Sequence, residues 1–453
     1  MNELEGLSHT EVPLPAVEAL EQTIRQVLDL ASERGATAAE AGLTLDQGLS
    51  VTVRLGDVET LEFHRDRGVG VTVYYGWRKG SASTSDLSER SLAETVEAAC
   101  DIARYTHEDD CAGLAPAELM AREVPDLDLY HPWHIGPEAA TTLALRCEQA
   151  ARELDPRISN SEGATLSSHE GLRVYGNSHG FVGGYRSSRH SLSCAVVAAE
   201  DGRMERDYWY TVSRRPDALE AAEAVGERAA QRTLRRLGGR KIATCKAPVI
   251  FSAELASGLF RSFVAAVRGS NLYRRSSFLL DQLDHAVFPA FMHIHEQPHL
   301  PQALGSAPFD SEGVATRERD LVSEGILRGY VLDSYSACKL GMQTTGNAGG
   351  VHNLTIDSNG PGLDGLLREM DRGLLITELM GQGVNIVTGD YSRGCAGFWV
   401  ENGEIQYPVE EITVAGNLRD MFRQILRVGS DVDLRGNIRT GSVLIESMTI
   451  AGD

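Results

Sequence analysis

Apolar periodicity in this chain alternates between two kinds. Single helix-spaced segments are each followed by several strand-like segments in a row. Val17, Leu20, Ile24, Val27, Leu28 and Ala31 recur on one helical face, which predicts a helix over about 15–34, stopped by Gly35. Alternating segments follow at 50–55 and 58–63, joined by Gly56-Asp57, and again at 69–75, ended by Gly76. Asp86-Leu87-Ser88 then opens a helix with Leu92, Val96, Ala99 and Ile102 on one face. The theme returns with a helix over 138–154, strands near 171–175, 180–187 and 191–198, and a long helix from Pro216 to Leu237. Pro216 suits a first turn and Gly238-Gly239 an end. Helices set between groups of turn-linked strands specify an α+β fold and argue against βαβ winding. The stretch from Gly238 to Lys246 is Gly-rich and basic and lacks apolar periodicity. It is the expected boundary between an N-terminal domain over 1–240, an antiparallel sheet with helices, and a C-terminal domain over 246–453, rich in β-strands.

The chain has 453 residues, of which 42% are hydrophobic, enough for a large core and two or three domains. Lys and Arg number 43 against 64 Asp and Glu, a formal charge of −21 that disfavours nucleic acid as a partner. Arg235, Arg236, Arg240, Lys241 and Lys246 form a local basic cluster, expected to be a solvated helix end and linker. Seven cysteines, an odd number without a C-x-x-C pair, read as free thiols in a reducing cytosol. The start Met1–Gly6 is acidic and has no apolar core, unlike a signal peptide. No apolar stretch approaches the roughly 20 residues that span a bilayer. Together these read as a soluble cytoplasmic protein with no membrane partner.

Several segments bear on chemistry. In the run His293-Ile294-His295-Glu296-Gln297-Pro298-His299, a strand would put His293 and His295 on one face, with Glu296 or His299 as a third metal ligand. A pair of histidines on the wet face of a strand is the commoner arrangement. Ser168-His169-Glu170 are neighbours in sequence, which seldom converge as a triad. Cys395 lies in a Gly-rich turn with no nearby His and reads as an inert thiol. No P-loop or dinucleotide fingerprint occurs. Two segments suit either turn architecture or contact with an extended peptide or partner. One is the acidic turn with Asp310 and Glu312; the other is 345–353, with Gly346, Gly349, Gly350, His352 and Asn353.

Ordered markers run along the chain: Gly80-Ser81-Ala82-Ser83-Thr84-Ser85-Asp86-Leu87, Pro308-Phe309-Asp310-Ser311-Glu312-Gly313, Ser334-Tyr335-Ser336-Ala337, Thr345-Gly346-Asn347-Ala348-Gly349-Gly350 and Gly389-Asp390-Tyr391-Ser392-Arg393-Gly394. In this order they resemble the TldD/PmbA family, in its PmbA (TldE) branch, over essentially the whole chain. The resemblance implies pairing with a TldD-type subunit in a heterodimeric zinc metallopeptidase that acts on unfolded peptides. TldD-type chains place a zinc-binding His-Glu-x-x-x-His on the helix after the strand-like Pro248–Phe251. Here Arg261, Ser262 and Ala266 stand at those positions. Arg has no lone pair to give, Ala has no donor atom, and Ser is too weak a base to activate water on zinc. The segment 428–442 also lacks the family's metal-binding Cys. The resemblance therefore implies no metal and no catalytic residue in this chain, with zinc held by the partner and self-association when the chain is alone. Arg261 is a further expectation, as a charge standing in for the missing cation. An older family label, modulator of DNA gyrase, gains nothing from so acidic a composition.

Overall fold

The computed structural model describes residues 13–452, so the acidic segment Met1–Gly6 lies outside the described residues. Helix α1 (Val17–Glu33) precedes strands β1 (Ala38–Arg54), β2 (Asp57–Tyr75) and β3 (Arg78–Thr84). Helices α2 (Glu89–Tyr105) and α3 (Pro137–Glu153) follow, then β4 (Ile158–Asn177), β5 (Val182–Glu200), β6 (Arg203–Ser213) and α4 (Ala222–Arg235). The six strands form one sheet, ordered β3-β2-β1-β4-β5-β6, with antiparallel β2–β3 and β5–β6 pairs.

The α+β expectation holds, but the strands are longer than periodicity alone suggests. The segments 58–63 and 69–75 are one strand, β2, which runs through the polar Arg65-Asp66-Arg67. The helix expected from Pro216 is a single 3₁₀ turn, Pro216–Ala218, followed by α4. Leu219 and Ala221 take extended backbone between the two, and Glu220 N–H donates to Thr211 Oγ1 at 3.1 Å. Ile102 is 48% exposed and lies off the buried face of α2.

The second half runs β7 (Cys245–Phe251), α5 (Ala253–Ala266), α6 (Gly269–Tyr273), β8 (Ile294–Glu296), β9 (Arg319–Ser323), β10 (Ile326–Leu327), α7 (Ser334–Lys339) and β11 (Leu354–Ile356). It continues α8 (Leu363–Met370), β12 (Gly373–Met380), β13 (Asp390–Glu401), β14 (Glu404–Asn417), α9 (Leu418–Arg423), β15 (Ile425–Val428), β16 (Ile438–Arg439) and β17 (Val443–Ala451). One sheet is ordered β14-β13-β12-β7-β17-β15, and β14 also pairs with β17, so five strands close on themselves. Closure leaves fewer unpaired edges. A smaller sheet is ordered β10-β9-β8-β11-β16.

The chain divides into two compact units. The first holds the residues up to Gln47 with His64–Leu114 and Glu170–Ser187. In it α1 buries Leu20, Ile24, Val27 and Ala31, while α2 buries Leu92, Val96 and Ala99. The second holds Gly48–Phe63, Ala115–His169 and everything from Ser188. Its largest apolar cluster joins α5 to the sheets through Phe260, Phe263, Phe288 and Phe422, with ring centres 4.9 Å apart for Phe288–Phe422.

One composition-based expectation needs correction. Cys100, Cys147, Cys194, Cys245 and Cys395 are free thiols, but Cys111 and Cys338 are disulfide-bonded. The basic junction is solvated as expected, with Arg235, Arg240, Lys241 and Lys246 exposed and only Arg236 half-buried. Arg236 pairs with Glu205 and Glu378, Lys241 pairs with Glu411, and Arg240 stacks 3.4 Å over the Tyr407 ring. Among the described residues no helix is long and apolar enough to cross a membrane.

Two glycines test the packing. A Cβ on Gly226 in α4 would lie 2.0 Å from the Cys147 carbonyl oxygen of α3, whereas one on Gly258 in α5 would meet nothing within 4 Å. In urea unfolding, Gly226→Ala is expected to destabilise by about 1–3 kcal/mol. Gly258→Ala is expected to stabilise by about 0.5–1 kcal/mol, the ordinary helical gain.

Candidate functional site

Helix α5 leaves the centre of the closed sheet. β7 pairs in parallel with β12 and antiparallel with β17, and Ser252 N–H donates to Ile376 O at 3.1 Å as the helix begins. Its inward stripe is Ala256, Leu259, Phe260, Phe263 and Ala266. Arg261, Ser262 and Ala266 lie at three different depths on the helix. Arg261 is exposed and makes no hydrogen bond or ion pair among the described residues. Ser262 is half-buried and donates to Gly258 O at 3.1 Å, back along its own helix. Ala266 is fully buried in the core.

The turn segments around 296–353 do converge. Glu296 of β8 is 2% exposed, and its carboxylate accepts from Arg319 Nε at 2.8 Å, Asn347 Nδ2 at 2.7 Å and His352 N at 2.7 Å. Asp310 is equally buried. Its two oxygens accept from the backbone N–H groups of Glu312 at 2.8 Å, Val314 at 3.0 Å and Ala348 at 2.9 Å, closing the acidic turn against 345–353. Asn353, at φ 44°, donates to Gln297 O and Ser306 Oγ and accepts from Gly305 N. Gly349, at φ 103°, sits where a Cβ would be 2.6 Å from Ser311 Oγ. Gly350 accepts from Asn347 Nδ2 through its carbonyl at 3.0 Å. Burial holds the His352 ring below the usual histidine pKa, and its Nε2 has no hydrogen-bond partner. Most of these predicted contact residues therefore face inward and shape the turns.

One of them reaches a surface cleft. Gly346 lines a cleft of about 400 Å³ with Leu119, Met120, Val314, Ala315 and Thr344. Glu118, Arg122 and Arg317, all exposed, also line it. Leu119–Ala121 already pairs there like an added strand: Ala315 N–H donates to Leu119 O at 3.0 Å and Ala121 N–H to Gly313 O at 2.9 Å. The wall can thus hold extended backbone. Arg122 escaped the sequence reading because nothing in its local pattern ties it to a turn far along the chain.

The rival residues fall elsewhere. Ser168 does not engage His169. Its hydroxyl bonds His190 Nδ1 at 2.9 Å, and His190 Nε2 meets the His131 carbonyl at 2.8 Å. That pair is buried and its third member is a carbonyl, so it orients the ring without activating a nucleophile. Cys395 is fully buried, and burial pushes its thiol up to about 12, in keeping with an inert thiol. His293 and His295 share one face of their strand, while Glu296 points to the other and His299 bonds Thr316 Oγ1 at 3.0 Å. The proposed third ligands are thus both engaged away from the pair.

Comparison with known proteins places this geometry. Models of PmbA/TldA metallopeptidase domain 1, central domain and C-terminal domain match residues 39–103, 130–237 and 244–452. The chain is 54% identical to metalloprotease PmbA of Escherichia coli O157:H7 over 96% of each chain. This chain belongs to the PmbA/TldD metallopeptidase family, in its PmbA branch. The PmbA/TldD fold is also seen in a crystal structure from Bacteroides thetaiotaomicron, described as a proposed modulator of DNA gyrase. That structure has a TM-score of 0.91 and 29% identity, over 96% of this chain and 99% of that one. TldE of Thermococcus kodakarensis, at 21% identity, shares the fold with a TM-score of 0.83 over 96% of this chain and 100% of its own.

The acidic turn makes a pH prediction. Burial, then the neighbouring Asp310, raises the Glu312 carboxyl from 4.5 to about 7, while Ser334 N–H and Oγ donate to it at 2.9 and 2.8 Å. Below about pH 4.5 the group is protonated in both folded and unfolded chains. As pH climbs to about 7 the unfolded chain ionises first, and the stability associated with the raised pKa is lost. Glu312→Gln cannot ionise, so its stability relative to wild type should rise by up to about 3 kcal/mol between pH 4 and 8. Urea unfolding across that range reads the difference; parallel profiles would contradict the assignment.

Proposed function

We propose that this chain is the non-catalytic PmbA/TldE-type subunit of a two-chain TldD/TldE zinc metallopeptidase that cleaves unfolded peptides in the cytoplasm. The observation that carries the reading is helix α5. It keeps the packing of a core helix but offers Arg261, Ser262 and Ala266 where zinc chemistry needs two imidazoles and a carboxylate. In this reading the TldD-type partner supplies the zinc and the glutamate that activates water. The present chain completes a closed chamber and holds substrate in extended form. The cleft at Val314, Ala315 and Gly346 suits that task, since its wall already pairs with a strand-like segment of the chain itself. The PmbA relatives, named as metalloproteases, fit this function.

The experiment measures cleavage of an unfolded peptide by this chain, by a TldD-type chain and by the two mixed. The chain alone should show no activity above buffer, and the mixture should cleave in a zinc-dependent way. Robust cleavage by this chain alone would overturn the reading. A stable homodimer that ignores the TldD-type chain would support a partnerless binding protein instead. In the mixture, Ala315→Trp, which fills the cleft from an exposed position, should lower kcat/KM by on the order of tenfold while leaving the Tm unchanged.

A further inference from the structure

The face of the small sheet opposite Glu296 carries a second group of side chains that the peptidase reading does not use. His293 and His295 flank Ile294 at the start of β8, and their rings stack with centres 4.8 Å apart. The sheet register brings two carboxylates to the same face. His295 lies opposite Asp320 at the edge of β9 and opposite Thr355 of β11, and Asp357 follows two residues after Thr355. Asp357 N–H donates to His293 O at 3.1 Å, which fixes its backbone beside the pair. One ligand atom each from His293, His295 and Asp357 lies within 4.8 Å of the others.

The hydrogen bonds sort these groups into ligands and support. Asp357 reaches Nδ1 of both rings, Oδ2 at 2.8 Å from His293 and Oδ1 at 3.6 Å from His295. Asp320 Oδ1 takes the other nitrogen of His293, Nε2, at 2.8 Å. Both nitrogens of His293 thus face a carboxylate, and an ion would replace the proton between Nδ1 and Asp357, while Asp320 holds the proton on Nε2 as a carboxylate does beside a metal-bound histidine. Nδ1 of His295 is buried and has no hydrogen-bond partner. A buried ring nitrogen without a partner is costly and calls for one. Asp357 and Asp320 are both about half exposed, so an ion can enter from solvent.

We propose that His293, His295 and Asp357 bind a divalent first-row metal ion, zinc by the chemistry of the set, with Asp320 orienting His293. Two imidazoles and one carboxylate leave a fourth position for water, and tetrahedral zinc would set the ligand atoms roughly 3.3 Å apart, opening the 2.8 Å contact between His293 and Asp357. The ion would tie β8 to β11. The site is separate from α5, and it stands or falls independently of the peptidase reading. The other acidic and sulfur group among the described residues, Asp109, Asp110 and Cys111, lacks a free thiolate because Cys111 is disulfide-bonded.

The test uses the tag-free full chain, stripped with chelator and titrated with Zn²⁺ alone by calorimetry, followed by elemental analysis after desalting. One zinc per chain and a rise in Tm are expected. His293→Ala/His295→Ala should lose the retained zinc. Asp357→Asn, which changes one atom at a half-exposed position, should also lose it without altering the metal-free Tm. Asp320→Asn should weaken binding about 10–100-fold while keeping the stoichiometry. Absence of retained zinc in the wild-type chain, or undiminished zinc in the two ligand variants, would overturn the site.

Discussion

The buried carboxylate of Glu296 is the interaction on which the C-terminal half depends. A charge at 2% exposure is tolerated only if it is paired and its remaining lone pairs are filled. Arg319 supplies the pairing, and Asn347 and the His352 backbone supply the filling. Removing one partner of such a pair typically costs about 3–5 kcal/mol, because the other is left buried and uncompensated. Arg319 extends the same network to Tyr330 O and Asn347 Oδ1 at 2.8 Å each. One side chain thereby holds β8 to β9 and to the turns that end in the cleft wall.

Strand geometry then decides the opposite face. Because side chains alternate along β8, seating Glu296 inward turns His295 outward, and His293 with it. The inner network and the outer histidine cluster are two consequences of a single register. A slip of one residue would bury an imidazole where Arg319 expects a carboxylate and would expose Glu296.

Helix α5 is held by its packing. Its place is set by Phe260 and Phe263 packing against Phe288 and Phe422, and none of that depends on Arg261 or Ser262. Residues off the inward stripe can therefore differ between relatives without moving the helix. Ala266, by contrast, belongs to that stripe, so a larger side chain there would press on the core.

The helices α1, α2, α3 and α5 were legible because 3.6-residue periodicity is a local signal. So was the turn-rich character of 345–353, where Gly and Asn take up positive φ. The full lengths of β1, β2, β4 and β5 were not, since polar stretches such as Arg65-Asp66-Arg67 carry no apolar alternation yet lie within the strand. Asp357 and Asp320 as companions of His293, and Arg122 in the cleft, were equally hidden. By itself the sequence determined the α+β class and the family, both readable from residue type and order. Only the tertiary structure decided which predicted contacts are buried supports and which side chains meet. Sheet register and burial join residues far apart in the chain, and no local pattern encodes that distance.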